Sequence, residues 1–142
     1  MAIFISDLYQ EQGVNLINDL SQAYEFASVA LMTSHATTFP LGKILNTAGF
    51  YSTSSLGSAS YKVVAAQAFD GYADHQLSDG KIALLQATVR TPQILGANMQ
   101  LGTNQTPFMQ SLEDWGKLNN KPTHYPAGIY EMQTKLNITR AP

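Results

Sequence analysis

The chain has 142 residues, enough for one domain with a sizeable core, and its eight Lys and Arg against ten Asp and Glu leave a formal charge of −2. No basic field is available to attract nucleic acid. There is no cysteine, which removes disulfides, thiolate nucleophiles and sulfur metal sites together.

The first residues, MAIFISDLYQEQ, have no cationic flank and no apolar run of signal length, so synthesis and folding in a cytoplasm without a signal peptide are expected. Asp7 and Gln10 have capping-box spacing and predict a short helical turn over 8–12, with Gly13 as a break. From Gln12 to His35, apolar side chains at Ile17, Leu20, Tyr24, Ala27 and Leu31 step by three and four, which predicts a long amphipathic helix. With the preceding turn it makes a helical segment over 6–35, the spine against which a sheet would pack. Its polar face carries Asp19 and Glu25 and no Lys or Arg, unlike a helix that lies on a membrane. Polar residues recur too often for a span.

Residues 36–60 are rich in Gly, Ser and Thr and are read as loop or short irregular strands. From 61 to 142 the text becomes β-rich. YKVVAAQAF, KIALLQATV, QILGANMQL and GIYEMQTKLNIT have strand length and are separated by turn signals, including Asp-Gly at 70–71 and 79–80. In the last run Tyr130, Met132, Leu136 and Ile138 alternate with polar residues, which predicts one dry face and one wet one. A helix over about 107–116 is predicted from Thr106 as N-cap, Pro107 at the first position, and the spacing of Phe108, Leu112 and Trp115. The expected fold is a single α+β domain: a long N-terminal helix on a mainly antiparallel sheet, with the short helix inserted before the last strand.

Chemical motifs are sparse. His35, His75 and His124 do not share metal-ligand spacing, no serine lies in a nucleophile elbow, and no glycine loop has phosphate-cradling form. No cofactor is implied. Asp70, Asp74 and Asp79 crowd one loop, where calcium is the sharper reading and a solvated hairpin loop the better supported one. Two glycosylation sequons, at Asn104 and Asn137, are read as chance matches.

Charged residues are only 13% of the chain, about half of the roughly 25% usual in globular domains. Ser, Thr, Asn and Gln make up 42 residues against 18 charged ones, and such neutral groups are cheaper to bury in a contact. Charge depletion with Tyr, Phe and Met is the composition of interface cores. The expected function is therefore that of a structural component of a large symmetric assembly, and not of an enzyme. A virus or bacteriophage particle protein (decoration, coat or head-to-tail joining) fits best. Its partners would be copies of itself or a larger protein scaffold, with neither nucleic acid nor membrane. Tyr130, Met132, Leu136 and Ile138 are the candidate interface. The alternatives are a small enzyme using Asp70, Asp74, His75 or His124 as acid and base, and a ligand-binding module that stacks ligands on Tyr and Trp115.

Overall fold

The computed structural model describes residues 22–136 and 138. In chain order these form β1 (Tyr24–Phe26), α1 (Val29–Ser34), β2 (Ile44–Thr47), β3 (Ala59–Val64), β4 (His75–Gln76), β5 (Ile82–Leu85), α2 (Pro92–Leu95) and α3 (Thr106–Asn119). The five strands make one sheet in the order β1-β2-β3-β5-β4. β1 runs parallel to β2 and the other pairings are antiparallel, so the sheet is mixed.

Cross-strand registers explain the core. Leu45 of β2 faces Tyr61 of β3, which faces Leu85 of β5. The next inward row is Val63, Ala83 and His75. Every one of these side chains is buried, because residues two apart on a strand share a face. Phe26, Val29, Met32, Phe39, Leu95 and Leu112 close the same cluster from the flanking segments.

The predicted long helix over 12–35 is corrected. Residues 1–21, including Ile17, Leu20 and the turn at 8–12, lie outside the described residues, but Tyr24, which should sit mid-helix, is in a strand. Tyr24 and Phe26 obtain ladder partners in Leu45 and Thr47, and Ser28 starts a separate helix by accepting the Leu31 N–H at 3.2 Å. The new helix α1 buries Val29 and Met32 and leaves Leu31 exposed. The 3.6 period across 24–31 was thus the overlap of a two-residue strand period and a capped turn.

Two of the four predicted strands are also corrected. In QILGANMQL, Thr91 caps and Pro92 opens the short helix α2, since a proline that cannot donate to a ladder is at home in a first helical turn. Among the described residues 128–136 and 138 there is no strand, so the alternation from Tyr130 onward has no ladder. β5 falls inside its predicted run and β3 overlaps its own, starting two residues earlier at Ala59, and both Asp-Gly pairs sit in turns with positive-φ glycines at 71 and 80. Helix α3 runs through the buried Gly116 to Asn119 and ends at Asn120 in the left-handed conformation, three residues beyond the predicted end. Its buried Glu113 accepts hydrogen bonds from Thr123 Oγ1 at 2.9 Å and Tyr125 Oη at 2.7 Å, which pins the chain leaving the helix.

Gly96 joins α2 to the core at φ 120°, and a Cβ there would lie 2.8 Å from Phe108 Cε1. Gly102, at φ 83°, has open space around it. Gly96→Ala is therefore expected to cost roughly 1–3 kcal/mol from backbone strain, with overpacking in addition, and Gly102→Ala only the strain. Chemical denaturation that finds Gly96→Ala no more destabilising than Gly102→Ala would contradict this packing.

Candidate functional site

Of the acid and base candidates, the fold gathers three and separates one. Asp70 ends the run after β3, and its Oδ1 accepts the backbone N–H groups of Tyr72, Ala73 and Asp74 at 2.9, 2.9 and 3.0 Å. This side-chain capping needs the left-handed glycine that follows, Gly71 at φ 77°. Asp74 Oδ1 accepts the Leu85 N–H at 3.1 Å and so locks the loop to the end of β5. His75 follows on β4, facing the core. His124 is exposed and does not line the cleft that Asp70 and Asp74 border. Asp79 pairs with Lys81 at 3.0 Å, away from the other two acids.

Opposite the loop lies α3. Between them is a cleft of ≈ 660 Å³ bordered by Asp70, Tyr72 and Asp74 on one side and Gln110, Ser111, Asp114, Trp115 and Leu118 on the other, with Arg90 and Pro107 completing it. The Tyr72 ring meets Phe108 edge-on at 5.8 Å, fixing the loop against the helix. The Arg90 guanidinium stands 4.6 Å from the centre of the Trp115 ring, a cation–π contact. Asp114 Oδ1 accepts from Gln110 Nε2 at 2.9 Å, one helical turn away. Arg90 was not among the candidates, nor were Gln110 and Asp114, while Trp115 was one as a stacking surface for a ligand. Only a sequence distance of about one helical turn ties the last three together, and nothing local brings Arg90 to them.

Beneath the cleft the core carries unusual polar groups. Tyr61 Oη, His75 Nε2 and Arg90 Nε are buried and without a hydrogen-bond partner, and the Tyr61 and His75 rings meet edge-on at 5.7 Å. Burial, reinforced by the Asp74 charge, pushes the Tyr61 hydroxyl far above its ordinary range. Burial lowers the His75 imidazole, against the opposing pull of Asp70, Asp74 and a hydrogen bond to the Tyr72 backbone. Burial lowers Arg90 as well, opposed chiefly by Asp74 and Asp70. His75 is thus held neutral inside the sheet and does not border the cleft, which leaves Asp70, Asp74 and Asp114 as its ionisable acids.

The expected interface is not assembled as one strand face. Tyr130 is half-buried, donating to the Pro126 carbonyl and accepting from Gln93 Nε2 at 3.0 Å. Leu136 is half-buried, while Met132 and Ile138 are exposed. Among the described residues no cluster of three or more His, Asp or Glu could hold a metal ion, and no helix is long and apolar enough to cross a membrane.

No protein-family model and no curated protein matches the chain. Solved structures do. A tailspike protein of Acinetobacter baumannii bacteriophage Fri1, described as a capsular polysaccharide depolymerase, aligns at a TM-score of 0.65 and 19% identity over 74% of this chain and 20% of its own. Pantoea stewartii WceF, described as a glycan biofilm modifying enzyme with a tailspike-like parallel β-helix fold, aligns at 0.63 and 17% identity over 77% of this chain and 17% of its own. The enzymatically active domain of bacteriophage CBA120 tailspike protein 2 aligns at 0.54 and 21% identity over 75% and 17%. The chain therefore has a fold found within bacteriophage tailspike proteins, and it spans about a fifth of their length. These neighbours correct two expectations. They are tailspikes and glycan-modifying proteins where a decoration, coat or joining protein was expected, and they are described as enzymes where none was expected.

The neutral state of His75 sets a pH dependence. Its folded value lies below the ordinary 6.5, so below that pH the unfolded chain binds a proton that the folded chain refuses. The stability it contributes is present above about pH 6.5 and is lost as pH falls toward the folded value. The melting temperature is expected to drop between about pH 7 and pH 5, and to drop less in His75→Phe. Parallel pH profiles for the two proteins would show that His75 is not buried neutral.

Proposed function

We propose that the chain is part of a bacteriophage tailspike-type protein that acts on bacterial surface glycan, with the cleft between the 70–74 loop and α3 as the place where this domain meets sugar. The observation that carries the reading is the fold match across about three-quarters of the chain to three structures, two of them named for polysaccharide or glycan chemistry. A virion location fits that reading. The larger scaffold and the copies of itself expected as partners would then be the rest of such a tail spike, with the exposed Met132 and Ile138 among the side chains facing it.

The cleft has the chemistry that sugars need. A pyranose offers an apolar C–H face and a rim of hydroxyls, and the cleft offers the apolar surfaces of Tyr72, Pro107 and Leu118 beside carboxylates and the amides of Gln110 and Asn119. Carboxylates accept from hydroxyls, and amides both accept from and donate to them. Its size suits one or two sugar units. A pair of carboxylates flanking a glycosidic bond is also the usual equipment for cleaving it. Asp74 and Asp114, which border the cleft from opposite walls, are the pair available here.

The test is to add the labelled chain to encapsulated bacteria and to otherwise identical cells without capsule, and to assay purified capsule for new reducing ends. Retention on encapsulated cells, reduced several-fold or more by Gln110→Ala together with Asp114→Ala, is expected. Equal retention on both kinds of cell, with no reducing ends released from a panel of capsules, would overturn the reading.

A further inference from the structure

We propose that the cleft selects amine-bearing and neutral sugars and rejects sugars that carry a carboxylate. The inference rests on the glycan reading above and names the class of sugar that the same cleft takes. Three carboxylates, Asp70, Asp74 and Asp114, face the cleft against the single guanidinium of Arg90. The Asp70 and Asp74 side chains are fixed by backbone N–H groups, so neither can swing away from an arriving anion. Those hydrogen bonds hold the carboxylate oxygens in place.

Arg90 is the group that would have to receive a sugar carboxylate, and its geometry is already committed. One face lies on Trp115 at 4.6 Å, and the negative charges of Asp74 and Asp70 act on it without a direct ion pair among the described residues. Its Nε is buried and unpartnered, so the two-point fork that recognises carboxylates through Nε and one Nη is closed to a ligand entering from the cleft. Asp114, by contrast, is exposed on α3 and keeps its Oδ1 toward Gln110 Nε2 at 2.9 Å. A sugar ammonium at this rim meets an acceptor with an adjacent amide. A sugar carboxylate meets a like charge. The apolar lip, with Leu118 86% exposed beside Tyr72, favours the C–H face of any pyranose equally and so does not discriminate.

The experiment is calorimetric titration of the 142-residue chain at low salt with three oligosaccharides of equal length: chitosan (cationic), chitin (neutral) and oligogalacturonide (anionic). Low salt keeps the charge discrimination from being screened. Chitosan and chitin are expected to bind at least about tenfold tighter than oligogalacturonide, a difference of about 1.4 kcal/mol. Asp114→Asn should narrow that gap several-fold, whereas Glu25→Gln, on exposed β1 away from the cleft, should leave it intact. Oligogalacturonide binding as tightly as chitin would overturn the inference and leave the glycan reading standing. An equal narrowing in Glu25→Gln would also overturn it, by assigning the preference to net charge alone. Failure of all three sugars to bind would remove the glycan reading and the inference with it.

Discussion

The burial of Tyr61 at the middle of the sheet is the interaction on which the rest depends. It is fully enclosed and placed between Leu45 on one neighbouring strand and Leu85 on the other, so β2, β3 and β5 are held in one register by one large side chain. A slip of one residue would turn that row to solvent. The hydroxyl at the end of the ring has no hydrogen-bond partner and sits within the influence of Asp74 and Arg90. The apolar core and the polar cleft therefore meet at one residue. The desolvation of that hydroxyl is a cost that the surrounding aromatic packing must offset.

That coupling accounts for the shape of the cleft. Asp70 and Asp74 fold the loop after β3 around their own backbone and dock it on β5, while α3 presents Phe108 to Tyr72 and Trp115 to Arg90. The loop wall is thus made by carboxylate capping and the helix wall by aromatic contacts. Asp70 and Asp74 are held by backbone N–H groups, Tyr72 by Phe108 and Arg90 by Trp115. A site built on such supports keeps its geometry before a ligand arrives, which lowers the ordering cost of binding.

What could be read from residues alone followed from how local the determinants are. Helix α3 was legible because Pro107 and the Phe108, Leu112 and Trp115 spacing are all within one segment; both its ends were misread, as Gln105 and not Thr106 is the N-cap, and the helix tolerates a buried Gly116 and stops at Asn120. The Asp-Gly turns were legible for the same reason. β1 was not, because Tyr24 and Phe26 become a strand only through a parallel partner about twenty residues on, and the segment's local spacing suits a helix equally well. The run from Tyr130 has real alternation, yet alternation names a face and not a partner. At the site, the loop acids were visible as a cluster, but Arg90 and α3 join them through tertiary contacts. His75 looked like a loop base and is instead a core residue, because the cross-strand position opposite Ala83 points inward.

If the space between the 70–74 loop and α3 is a sugar site, a map of amide and indole chemical shifts on titration with chitin oligosaccharide will show it. Shifts are expected to concentrate at the Trp115 indole N–H, Tyr72, the Gln110 side-chain amide and Asp114, with the strand face around Leu45 and Thr47 unmoved. Shifts that cluster elsewhere, such as around Tyr24 and His35 on the far edge strand and the segment after it, would contradict a sugar site between the loop and α3.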